Sequence, residues 1–128
     1  MGSILPISFC CAMLPTLKEF ITKYKNTNFP HNSYVREKGF SSLYVRIGLK
    51  YLGGKLIPCV LDIANVEVHR KGNGVFSALL ARLHDEKISI YIECVHNKRL
   101  VEKLRRENFV EVNNTVPSFY RLKNSFTE

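Results

Sequence analysis

A change of period in the middle of the chain constrains its fold more than any other feature. Val60 to Val68 is apolar at most positions, His69-Arg70-Lys71-Gly72-Asn73-Gly74 breaks the run, and Val75, Leu79, Leu80 and Leu83 then follow helical spacing to about Glu86. A strand, a basic glycine-rich turn and a helix are thus joined end to end. Such a turn presents several backbone N–H groups at a helix N-terminus, where the dipole also favours negative charge. Glycine lets the backbone approach a phosphate closely and supplies positive φ, and Arg70 and Lys71 add positive charge. The turn is a candidate anion cradle, although turns of this kind serve purely structural ends at least as often. It lacks the Gly-Lys-Ser/Thr ending of a Walker A loop and is not a Gly-x-Gly-x-x-Gly dinucleotide fingerprint.

The remaining elements fall on either side of this unit. Leu17, Phe20, Ile21 and Tyr24 recur at helical spacing, with Pro15 suited to a first-turn position. Residues 26–39 read as a polar loop with one helical turn near Tyr34 to Lys38. Ser42 to Leu52 is a strand, Gly53-Gly54 a tight hairpin turn, and Lys55 to Val68 the returning strand, with a bulge or irregularity at Pro58. Val60 to Val68 resembles a central strand covered on both faces. After the first helix of the central unit come a strand at Ile88 to Val95 and a helix at Asn97 to Asn108. A strand at Phe109 to Val112, a turn at Asn113-Asn114 and a last strand at Phe119 to Leu122 close the chain. Leu5 to Met13 reads as an initial strand or buried lead-in, since Pro6 and Pro15 interrupt it and no basic segment precedes it as a signal peptide requires.

A length of 128 residues with 45% hydrophobic content fits one domain, 1–128, whose core needs neither disulfides nor a structural metal. No apolar run approaches the roughly 18–20 residues of a membrane span, so no membrane partner is expected. Cys10, Cys11, Cys59 and Cys94 form no C-x-x-C pair and have no His at zinc-site spacing. Free thiols in a reducing cytoplasm are expected, with Cys59 and Cys94 acting as small buried hydrophobes. The formal charge of +8 asks for an acidic partner: an anionic cofactor, nucleic acid or an anionic surface.

Taken with the second half, the pattern resembles the GNAT superfamily of N-acetyltransferases, in particular its small phage-like members. That family has a strand, an Arg/Gln-x-x-Gly-x-Gly/Ala turn, a helix, a strand, then Asn and an apolar helix ending in Gly-Phe. The corresponding residues here are Leu61 to Val68, Lys71-Gly72-Asn73-Gly74-Val75-Phe76, Ile88 to Val95, Asn97, and Leu100 to Phe109. Lys71 stands in the Arg/Gln slot, Phe76 in the final Gly/Ala slot, and the loop after Val68 is about two residues short. The resemblance implies an α/β (α+β) fold: a mixed, mostly antiparallel sheet with splayed central parallel strands, flanked by helices. It implies acetyl-CoA as the acyl donor, an amine as acceptor, direct transfer and no metal. The backbone around Lys71, Gly72, Asn73, Gly74 and Val75 would receive the pyrophosphate, with His69 and Arg70 beside it. The main chain of Val66 and Val68 would pair with the pantetheine arm, and Asn97 would line the groove.

Transfer to an amine needs a base for the ammonium, an N–H to polarise the thioester and an acid for the leaving thiolate. The family's usual acid is a Tyr in the second helix, and Leu104 fills that slot. Glu67, near the end of the central strand, is the first candidate base and is expected to share a face with Asn65 and Ile63; Glu93 is the second. Tyr120 is the candidate replacement hydroxyl. His31, His84 and His96 have no ligand spacing. Lys98, Arg99, Lys103, Arg105 and Arg106 make the last helix basic, so seven of the 19 Lys and Arg residues lie at the turn and on this helix. The alternative is a GNAT-shaped module of reduced catalytic power that binds nucleic acid or an acidic host protein, or a nucleic-acid base modifier working through the same groove.

Overall fold

The structure is a computed structural model and describes residues 14–70, 72, 74–112 and 115–123. The expected lead-in at Leu5 to Met13, the turn at Asn113-Asn114, and Lys71 and Asn73 lie outside the described residues. Helix α1 spans Leu17–Thr27, followed by strands β1 (His31–Tyr34), β2 (Phe40–Leu52) and β3 (Lys55–Val68), helix α2 (Val75–Asp85) and strand β4 (Ser89–Ile92). Helix α3 (Lys98–Arg106) and strands β5 (Val110–Val112) and β6 (Ser118–Arg121) complete the order. The strands form one six-stranded sheet in the order β1-β2-β3-β4-β6-β5. Among these six strands β3 and β4 pair in parallel and every other pair is antiparallel. This mixed sheet with a central parallel pair and flanking helices is the α+β arrangement that the resemblance implies.

Local chemistry accounts for the boundaries. Helix α1 opens with a capping box, Thr16 Oγ1 accepting from the Glu19 N–H at 3.1 Å and Glu19 Oε1 accepting from the Thr16 N–H at 2.9 Å. Pro15 therefore precedes the cap and is not in the first turn. The helix stops at Asn28, in the left-handed region at φ 60°. Residues 31–34 are a strand paired with β2, not loop, because Tyr34 stacks on Tyr44 with ring centroids 4.9 Å apart and Asn32 Oδ1 accepts from Tyr44 Oη at 2.8 Å. Polar composition hid this edge strand, whose neighbour supplies the apolar contact.

Cross-strand register sorts the side chains onto two faces. Val45, Ile47, Leu61, Ile63, Ile90, Ile92 and Phe119 join Leu17, Phe20, Leu79, Leu80, Leu83 and Leu104 from the three helices in the main core. Arg121 lies on this face too, its guanidinium 4.4 Å from the Phe109 ring and donating to the Leu80 carbonyl at 3.1 Å. The other face carries a small cluster of Leu52, Val60 and Tyr120. Val60 to Ile63 are all buried, as a central strand covered on both faces requires, whereas the cover thins from Ala64 onward.

Strand β3 is irregular at two places. A register shift between Gly48 and Lys50 puts an extra residue in β3 around Pro58, whose carbonyl accepts from Tyr24 Oη at 2.7 Å. A second shift makes Tyr44 oppose Asn65 and Val45 oppose Ile63, so Ala64 is an extra, bulged residue. The bulge reverses the alternation. Asn65 and Glu67 stand on the face of Tyr44, Arg46 and Asp62, while Ile63 faces the helices; the expectation that Glu67 shares a face with Ile63 is corrected.

Candidate functional site

The parallel pair at the centre of the sheet comes apart. Val60 to Ile63 pair with Ser89 to Ile92, and the last link is the Glu93 N–H donating to the Ile63 carbonyl at 3.1 Å. Cys94 then adopts φ 48°, an unfavourable left-handed conformation for a residue with a Cβ. Its N–H turns to Ser118 Oγ at 3.0 Å, and the Val95 N–H donates to the Pro117 carbonyl at 2.7 Å. The chain after β4 thus follows β6 and leaves β3, which continues through Val66 and Val68 paired with β2 alone among the described residues. A wedge-shaped opening results. Cys94 is exposed, not a buried hydrophobe as expected, because this kink carries it out of the sheet; Cys59 is half-buried, and burial pushes its thiol pKa up.

The uncovered length of β3 leads straight to the glycine-rich turn. Gly72 and Gly74 lie at φ 85° and 72°, and a Cβ built on either meets nothing within 4 Å, so both need glycine for their conformation and face open space. Gly74 caps α2 without a side-chain acceptor, and the first turn contains no acidic residue. The Ala78 N–H is the first to find a helical partner, the Gly74 carbonyl at 2.9 Å, so the N–H groups of Val75, Phe76 and Ser77 have no partner within the helix. The turn is held close to β2: the His69 N–H donates to the Gly39 carbonyl at 3.0 Å, and a Cβ on Gly39 would stand 2.7 Å from Val75 Cγ1. Phe76 meets Phe40 edge-on with centroids 6.5 Å apart. Its ring therefore packs against β2. Val66, Val68 and Val75 are half-buried against the main core, and His69 and Arg70 are exposed.

A polar constellation that sequence reasoning missed lies on the sheet face opposite the helices, at the point where β3 and β4 separate. Asn32, Arg46, Asp62, Tyr91 and Tyr120 form one cross-strand row. Asp62 is only 6% exposed. Its Oδ2 lies 3.5 Å from Lys50 Nζ and 3.8 Å from Arg46 Nη1, while Oδ1 has no hydrogen-bond partner. Arg46 Nη1 also donates to Glu93 Oε2 at 2.6 Å, and Lys50 Nζ sits 4.2 Å from the centre of the Tyr91 ring. Burial pushes the Asp62 carboxyl up to about 7, helped by a hydrogen bond with Glu93 and by that residue's negative charge, against the opposing pull of Lys50 and Arg46. Arg46, Lys50 and Asp62 line a cavity of about 360 Å³ with Asn32 and Gly48. The sequence signal was one Asp within Val60-Leu61-Asp62-Ile63, a carboxylate in the most apolar part of the chain.

Among the residues singled out from sequence, Glu93 belongs to this constellation and Glu67 does not. Glu67 is exposed and opposite Ser42, which lines a separate cavity of about 690 Å³ with Tyr34, Arg36 and Glu37. Tyr120 shares the row of Asp62 but is buried against Leu52 and Val60, its hydroxyl directed to the hairpin, 2.7 Å from where a Cβ on Gly53 would stand. Asn97 caps α3, Oδ1 accepting from the Leu100 N–H at 3.0 Å. Leu104 is fully buried. On the basic helix Lys103 pairs with Glu107 at 2.5 Å, and Arg105 Nε donates to Glu111 Oε1 at 2.8 Å. Among the described residues, no group of three or more His, Cys, Asp or Glu side chains could hold a metal ion, and no helix is long and apolar enough to cross a membrane.

No protein-family model matches the chain, and no curated protein matches it. Among solved structures, the chain is similar to a mutant of the AtaT toxin bound to the C-terminus of the antitoxin AtaR and to acetyl-CoA. That likeness covers 66% of this chain and 61% of the toxin chain, at 15% identity and a TM-score of 0.46.

Proposed function

We propose that this chain is an acyl-CoA-dependent N-acyltransferase that moves an acetyl group directly from acetyl-CoA to an amine. One observation supports it above the rest: β3 loses its parallel partner at Ile63 and runs, edge uncovered, into an uncapped helix N-terminus with Gly72 and Gly74 facing open space. A long ligand with a peptide-like arm and a diphosphate matches that sequence of features, because an extended amide chain can hydrogen-bond to a strand edge and phosphate oxygens to free N–H groups. In this reading Val66 and Val68 receive the pantetheine arm and the backbone from Lys71 to Val75 the pyrophosphate, with His69 and Arg70 adding positive charge. Asn97 borders the groove, and Glu67, Glu93 and Tyr120 remain the proton-transfer candidates named from sequence. Isothermal titration with acetyl-CoA tests the reading: saturable binding in the micromolar range is expected, and no heat at high micromolar concentration overturns it.

A second reading has its own observation. Leu104, in the slot of the family's acid, is fully buried and has no proton to give. A module of this shape that binds nucleic acid or an acidic protein through α3, or modifies a nucleic-acid base, would be retained on DNA or RNA in a salt-dependent way. Silence toward acetyl-CoA combined with such retention favours the binding module; retention together with acetyl-CoA binding favours the base modifier. A cytoplasmic location is the expectation from the free thiols.

A further inference from the structure

We propose that Asp62 and Glu93 act as one proton-accepting unit for the incoming amine, with Arg46 and Lys50 as the cations that keep the acceptor nitrogen unprotonated. The inference rests on the transferase reading and adds the residues that would prepare the nucleophile.

The geometry supports it in three steps. Asp62 and Glu93 flank the last bond between β3 and β4, so the pair stands at the inner end of the wedge, where a thioester carried along the β3 edge would arrive. Asp62 is buried with Oδ1 unpartnered and lines a cavity, an arrangement that costs free energy unless a donor arrives. The groups facing it are Arg46 and Lys50 from β2, Tyr91 from β4, Glu93 just beyond β4, and Asn32 from β1, while His31 turns its ring away toward Phe20 and the Phe29 carbonyl. Two cations beside the cavity lower the proton affinity of an amine placed there, while the carboxyl pair gains a proton readily. A carboxyl that titrates near 7 is suited to exchange protons with an amine at neutral pH. Glu67 is exposed and lines neither cavity.

The proposed step balances. An ammonium R–NH₃⁺ gives one proton to the ionised Asp62–Glu93 pair and becomes R–NH₂. Its lone pair attacks the thioester carbon, and the new C–N bond forms as the C–S bond breaks. The second nitrogen proton neutralises the coenzyme A thiolate, and the carboxyl pair returns its proton to water.

The test uses the full chain, with acetyl-CoA as donor and two acceptor probes. Ethylamine is almost wholly protonated at pH 7 and needs a base, whereas hydroxylamine is mostly neutral and does not. Asp62→Asn is expected to leave acetyl-CoA binding intact and to lower transfer to ethylamine by about 100-fold or more, with transfer to hydroxylamine changed by less than about 10-fold. Glu93→Gln removes the like charge beside Asp62 and moves the acid limb of the ethylamine pH profile to lower pH. Equal losses with both probes, no loss with either, or an unmoved acid limb overturns the proposal. So does a wild-type chain that binds acetyl-CoA and acetylates hydroxylamine but not ethylamine. Failure of the wild-type chain to bind acetyl-CoA, or to acetylate either probe, overturns the transferase reading and this inference with it.

Discussion

The Glu93 N–H donates to the Ile63 carbonyl at 3.1 Å, and beyond this bond the two central strands no longer meet. Cys94, the next residue, turns the chain through a left-handed conformation toward Ser118. The opening therefore follows from the backbone conformation of Cys94 and from the hydrogen bonds that carry the chain to Ser118 and Pro117.

If the Cys94 kink stores strain, side-chain shape at that position sets stability. Cys94→Gly is expected to stabilise the fold or leave it unchanged, and the β-branched Cys94→Val to destabilise it by about 1–2 kcal/mol. Urea unfolding midpoints of the two variants check this; a Val variant as stable as the parent contradicts it.

Gly74 separates charge from shape at the turn. Asp and Asn are nearly equal in size, both tolerate left-handed φ better than other residues, and a side chain there meets nothing within 4 Å. Gly74→Asp should abolish acetyl-CoA binding in titration calorimetry by setting a carboxylate against the pyrophosphate. Gly74→Asn should weaken it far less. Matching behaviour of the two variants would count against a phosphate at this turn.

The folded chain holds the Asp62 proton up to about pH 7, whereas an unfolded carboxyl releases it near its ordinary value of 3.8. Between these values the folded state binds more protons, so this group's contribution makes stability fall as pH rises from about 4 to about 7, with no further loss above. Asp62→Asn should flatten that part of the curve. Denaturation free energies at pH 4.5, 6 and 8 for both proteins measure the difference, and parallel curves would refute it.

Leu104 is core, whatever slot it occupies in a family pattern. Fully buried on α3 among the main cluster, it should cost about 2–5 kcal/mol on truncation in Leu104→Ala. Thermal unfolding compared with that of Val110→Ala, an exposed position, checks the magnitude.

Much of the fold was legible because it rests on local signals. The period change at Val75, the Gly53-Gly54 hairpin and the irregularity at Pro58 each depend on residues adjacent in sequence, and the structure places all three as expected. Strand β1 was not legible, because its stabilising partners are Tyr44 and the edge of β2. Glu67 drew attention by its place near a strand end, but the Ala64 bulge, which no residue type announces, set the face it occupies.

By itself the sequence determined a strand, a glycine turn able to adopt positive φ and a helix without an acidic first turn, because backbone conformational preferences and apolar periodicity act over a few residues. Tertiary structure alone decided that Cys94 parts the central strands and that Asp62, Glu93, Arg46 and Lys50 converge at their fork. Those four come from three separate stretches of chain, and the burial that alters the proton affinity of Asp62 exists only once the sheet has assembled around it.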